Sequence, residues 1–162
     1  MAVLYCSLGR TPDQVIPPRT YTLVRFPFGS SHEFGDAHGM HDLVQPDGYE
    51  ITSWDTDDRS SLVWPAARGL GLLHITTHWE AGNYDEFRDQ FIRDPLNLNK
   101  GPDVTGTKHF PPSPGMQFFS SSWQLVVEPG TPIAYMVYHN DTVPRKLLYA
   151  NLKMSIFTDL IE

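Results

Sequence analysis

An all-β chain, folded as an antiparallel sandwich or barrel, is predicted by three observations. Apolar residues alternate with a period of two over much of Phe118 to Ile161, a Glu128-Pro-Gly-Thr131 turn breaks that run, and 14 prolines and 12 glycines divide the 162 residues into short elements. Period-two patterning punctuated by Pro-Gly marks strands that bury one face.

Residues 1–20 read as an extended N-terminal arm, because Thr11-Pro-Asp and Pro17-Pro18 interrupt regular pairing and favour extended backbone. The remaining residues, 21–162, form one sandwich domain. Tyr21 to Phe26 is the first strand, ended by Pro27 and Gly29. A loop rich in Gly, His, Asp and Ser runs to Gly48. Tyr49 to Trp54 alternates and reads as a strand, Asp55-Thr-Asp-Asp58 as a turn, and Ser61 to Trp64 as a short strand stopped by Pro65.

Leu70 to Trp79 is the central strand, with Leu73, Ile75, Thr77 and Trp79 on one face and Leu72, His74, Thr76 and His78 on the other. Phe87 to Ile92 is read as a strand, since Pro95 leaves little room for a helix. Asn97 to Gly115, with Pro111-Pro-Ser-Pro114, reads as a second long loop. Ser121 to Val127 places Trp123, Leu125 and Val127 together, Ile133 to Tyr138 follows the turn, and Asn151 to Ile161 closes with Leu152, Met154, Ile156 and Leu160 in phase.

Twelve Lys and Arg against nineteen Asp and Glu give a formal charge of −7, which opposes binding to nucleic acid. Cys6 is the only cysteine, so neither an intrachain disulfide nor a thiolate metal cage forms. The first nine residues lack a basic leader, and no apolar run approaches the ~20 residues that span a bilayer. No membrane partner is expected. Asn140-Asp-Thr142 matches a glycosylation sequon and is read as a surface turn.

His32-Glu33-Phe-Gly-Asp36-Ala-His38-Gly-Met-His41-Asp42 packs three imidazoles and three carboxylates into eleven residues. Imidazole with carboxylate oxygen suits zinc, manganese or iron, and the ligands to test are His38, His41 and Asp36. The competing reading is a polar loop of turn formers, and it is preferred. His74 and His78 share the spacing of helical zinc proteases, but Ile75 stands where a general base belongs. On a strand, positions four apart lie ~13 Å from one another, too far to share an ion.

Ser120-Ser-Ser122 lacks a glycine elbow, and Gly69-Leu-Gly71 lacks the helix a phosphate loop needs. No catalytic residue or cofactor is expected. Nine Phe, seven Tyr and four Trp exceed what a core of this size encloses. Trp79, Trp123, Phe157 and Tyr135 suit the interior, whereas Phe118, Phe119, Tyr138 and Phe110 suit a contact surface. Val15, Ile16, Tyr21, Phe118, Phe119 and Tyr138 are the interface candidates.

Taken together, Trp64-Pro-Ala-Ala-Arg-Gly69 running into Trp79, Phe87 to Arg93, Ser121 to Val127 with Pro129-Gly130, Ile133 to His139, and the closing Ile156-Phe-Thr-Asp-Leu-Ile161 resemble the jelly-roll domain of tumour necrosis factor and complement globular heads. More narrowly they resemble its versions in tailed-phage virion proteins. The likeness covers residues 62–162. Thr131 stands where an aspartate is common, and the 97–115 loop is longer than usual. The resemblance implies a homotrimer without enzymatic activity: a phage capsid decoration (cement) protein in the virion, assembled in the host cytoplasm. Its partners would be the major capsid protein or other virion proteins, gripped by the arm. The alternative is a minor tail or receptor-binding protein recognising host glycan through His32 to Asp42 and Lys108 to Met116.

Overall fold

The computed structural model describes residues 2–29 and 33–159, with the side chains of Glu33 and Phe34 outside the description. Within them lie strands β1 (Val3–Arg10), β2 (Gln14–Ile16), β3 (Thr22–Leu23), β4 (Glu33–Gly35), β5 (Gly69–Trp79), β6 (Phe87–Arg93), β7 (Asp103–Phe110), β8 (Gln117–Val127), β9 (Ile133–His139) and β10 (Arg145–Phe157). They form two antiparallel sheets. The main sheet runs β4-β1-β10-β5-β8 with β2 also on β10, and the second runs β3-β9-β6-β7. The fold class read from the sequence is therefore the one observed.

β5 alternates as its pattern requires: Leu73, Ile75, Thr77 and Trp79 are buried, while the intervening residues face outward. On β10, Leu152, Met154 and Ile156 join the same core in phase. Leu160 and Ile161 lie outside the described residues. Trp79 anchors the interior against Phe87, Tyr84 and His139 at centroid distances of 5.2, 6.4 and 5.7 Å. Each aromatic pair of this kind adds ~0.5–1.5 kcal/mol beyond area burial. The Glu128–Thr131 turn closes as read, with Gly130 at φ +85°, a conformation that excludes most side chains.

Six expectations need correction. Residues 1–20 are not an extended arm, because β1 pairs along β10 from Val3↔Phe157 to Arg10↔Ala150, and β2 pairs with the start of the same strand. Prolines only interrupt the link between them. Arg10 fixes that link: its Nε donates to Pro12 O at 2.8 Å, Nη1 to Arg25 O at 2.9 Å and Nη2 to Asp13 O at 2.7 Å. Residues 1–20 thus contribute strands to the same sandwich as the rest.

The first strand shrinks to Thr22–Leu23, since Phe26 leaves the sheet to donate to Ser60 O. Tyr49 to Trp54 keeps one bridge, Val44↔Glu50, and Ser61 to Trp64 keeps Val63↔Ile133 after a 3-10 helix over Asp58–Ser61. Asp57 starts that helix by accepting from Arg59 N.

The 97–115 segment is not all loop, because β7 occupies its middle and pairs along β6. β7 is mostly polar, with Val104 and Phe110 its only large apolar residues and Gly106 between them, so it lacks the alternation of a half-buried strand. Gly106 is needed there: a Cβ would sit 2.6 Å from the Trp123 indole. That indole covers the gap between edge strands β7 and β8 and stays 39% exposed, which explains why Trp123 is not the core residue expected. Asp94 arranges the approach to β7, its carboxylate accepting from Leu98, Gly101 and Asn99 amides at 2.7, 2.7 and 2.9 Å.

Candidate assembly surface

The loop that holds the metal-ligand candidates His38, His41 and Asp36 is tied into the fold by its own contacts. Asp36 accepts from the Met40 and His41 amides at 2.8 and 2.9 Å, closing the turn in which Gly39 takes φ +62°. His41 is buried and stacked on Phe28 at 4.1 Å. Its Nδ1 and Nε2 lie 3.1 Å from Leu62 O and 3.3 Å from Phe26 O, and burial lowers its pKa. His38 is exposed on the turn. Among the described residues no three metal-ligating side chains converge, and His32 lies outside them.

The most unusual interior group is Asp89 of β6, 3% exposed between the two sheets. Ser121 Oγ and Tyr135 OH each donate to its Oδ2 at 2.6 Å. Burial, only partly offset by these donors, raises its pKa, and burial followed by the Asp89 charge raises that of Tyr135. The triad joins β6 and β9 of the second sheet to β8 of the main sheet and so ties the two layers together.

A raised carboxyl pKa favours the fold fully below the unfolded value, and that contribution is lost as pH rises through the folded value. Asp141 has the opposite sign. Burial opposes its ionisation, but Arg145 and the Thr142 and Asn83 amides outweigh it and hold the pKa at about 2. Comparison with Asp89→Asn isolates the first effect. In urea melts, the stability gap between wild type and Asp89→Asn is expected to move in favour of the variant as pH rises from 4 to 7. A gap independent of pH would contradict this assignment.

The feature that can act on another molecule is the outer face of the main sheet. Strand registers arrange it in rows. One end carries Val3, Phe157, Leu70 and Val126, followed by Tyr5, Ser155, Leu72 and Gln124. The middle carries Ser7, Lys153, His74 and Ser122, then Gly9, Asn151, Thr76 and Ser120, of which Ser7, Gly9 and Asn151 are buried within the protomer. Tyr149, His78 and Phe118 close the other end. None of these five rows contains a carboxylate, although the chain has nineteen. Aromatic and aliphatic side chains remain open to solvent, Phe118 at 61% and Val3 at 49%. A shallow cleft of about 670 Å³ opens on the face beside Tyr5, Leu72, His74, Ser122, Gln124 and Lys153.

Local contacts order this surface. His74 Nδ1 lies 2.8 Å from Ser122 Oγ, and the His78 ring packs against Phe118 and Tyr149 at 4.7 and 4.9 Å. Exposed Val3, Tyr5, Leu72, Val126 and Phe118 around the Lys153 row make a surface suited to close contact with protein.

The six interface candidates do not form one surface. Phe118 belongs to the face just described. Phe119 points inward between Phe87 and Phe110 at 4.9 and 4.7 Å, and Ile16 is fully buried, so neither is available to a neighbour. Val15 is exposed on β2. Tyr21 and Tyr138 pack together at 5.1 Å on the outside of the second sheet, under the Arg88 guanidinium. Val3, Tyr5, Leu72 and Val126 were missed. The signal was the outward set of β5, and the neighbouring strands in register with it supplied the rest.

No protein-family model matches the chain, and no curated protein matches it. Solved structures do. The globular domain of zebrafish complement 1qA protein aligns with a TM-score of 0.59 at 11% identity, over 98% of this chain and 99% of that one. Eiger TNF from S. frugiperda aligns with a TM-score of 0.57 at 13% identity, over 100% and 97%. Murine APRIL at pH 5.0 aligns with a TM-score of 0.53 at 12% identity, over 94% and 99%. Likeness at this identity establishes the fold: a jelly-roll sandwich of the tumour necrosis factor and complement globular type.

Proposed function

We propose that three copies of this chain associate through the outer face of the main sheet, and that the trimer is a structural protein of a bacteriophage particle, a capsid decoration protein that stabilises the head. The observation that carries the assembly reading is a face whose five rows hold no carboxylate and expose Val3, Tyr5, Leu72, Val126 and Phe118, in a chain of charge −7. Such a face gains by being covered, and closed symmetry covers it without an open edge. The virion reading is supported by the resemblance of residues 62–162 to phage versions of this domain.

Because β1 is part of the sandwich, the segment left to grip a neighbouring virion protein is 11–21, where Val15 is 60% exposed. Truncation there would remove a strand of the main sheet, so a point substitution is the cleaner test. Purified protein should bind shells that lack it and raise their melting temperature. Val15→Asp should keep the oligomeric mass of wild type while binding shells at least tenfold more weakly, a loss of ~1.4 kcal/mol. Unchanged shell binding would remove the segment from this role. Failure of wild type to bind shells, together with blocked phage adsorption to cells, would favour the tail reading instead.

A further inference from the structure

The middle row of the face places two groups of like potential charge side by side. Strand register sets His74 of β5 directly opposite Lys153 of β10 and opposite Ser122 of β8. Both His74 and Lys153 border the same cleft, with Tyr5 contributed by β1 and the uncharged Ser122 and Gln124 by β8. Along β5 the next titratable group on this face is His78, flanked by Phe118 and Tyr149 rather than by a charge. No described outward residue of β1, β5, β8 or β10 in these rows is an Asp or Glu, so the cross-strand neighbours of an imidazolium here are a cation and a hydroxyl.

Resting on the assembly reading above, we infer that His74 makes association pH-sensitive: its protonation beside Lys153 loosens contact between copies. Imidazole is the side chain that changes charge between pH 5 and 8. With His74 neutral, the five rows carry one cation per protomer, Lys153. With His74 protonated, a second positive charge stands at a directly opposed cross-strand position. Like charges so placed repel, and the repulsion grows once water is excluded by a neighbouring copy. In a threefold assembly the effect is repeated in each protomer.

The test is sedimentation of wild type and His74→Gln across a concentration series at pH 8 and pH 5.5. Far-UV circular dichroism at both values separates dissociation from unfolding. That control matters because burial lowers the pKa of His41 and His139, so acid also loads the fold. The association constant of folded wild type should fall at least roughly tenfold on acidification. In His74→Gln the ratio between the two pH values should be under about threefold, whatever its association constant at pH 8. Wild type that assembles equally well at both values, or more tightly in acid, overturns the inference and leaves the assembly reading standing. An equal pH response in His74→Gln also overturns it. A single-protomer mass at both values overturns the assembly reading and the inference together.

Discussion

Arg10→Ala is expected to lower the unfolding free energy by about 3–5 kcal/mol, a large share of the ~5–15 kcal/mol typical of a domain. The guanidinium is 1% exposed and lies 5.0 Å over the Trp54 ring. It donates to three backbone carbonyls, and Nη2 also reaches Asp55 Oδ1 at 3.2 Å. Removing it takes the donor from three carbonyls at once, empties the buried space beside Trp54 and frees the turn that returns β1 toward β2. Arg10→Lys should recover only part of the loss, because an ammonium cannot reproduce the planar fork. Urea denaturation measures both. A midpoint for Arg10→Ala equivalent to less than about 1 kcal/mol of loss would show that the clamp does not hold the N-terminal strands.

The second large effect concerns the face. The double variant Leu72→Arg with Ser122→Arg adds two cations to rows that already hold Lys153 and contain no carboxylate. Both positions are exposed, so the sandwich should keep its melting temperature within a few degrees. Association should weaken by at least about a hundredfold, since each added charge must be desolvated without a partner on its own protomer. Retained trimers at micromolar concentration would place the contact on another surface.

Much of the architecture was legible because the strands that cross the core obey simple alternation. β5, β9 and the buried half of β10 each bury every second residue, and the turn at Gly130 carries its own signal. The errors fall where tertiary contacts replace that rule. β1 has the composition of a strand, but its meaning lies in pairing with β10, nearly the whole chain away, and nearby prolines suggested a free arm. β7 was hidden by its edge position and by a glycine that exists to receive an indole. Tyr49 to Trp54 alternates without being a strand, since its amides find partners in the adjoining turns.

Less of the candidate site could be read in advance. Single-strand patterning identifies which side of β5 faces outward, yet the surface is a property of four strands in register. Phe118 and Phe119 differ by one residue, and only the pleat decides that the first faces solvent and the second the core. The histidine loop left two readings open on composition alone, a polar turn and a metal site. Its ligand-like composition serves a turn, with Asp36 capping amides and His41 wedged beneath Phe28.

The most direct test of the account is the mass of the wild-type protein in solution, measured by sedimentation velocity at micromolar concentration and pH 8. A species of three times the 18.4 kDa protomer mass is predicted, dispersed to single protomers by Leu72→Arg with Ser122→Arg. A wild-type protein that sediments as one 18.4 kDa protomer would contradict it.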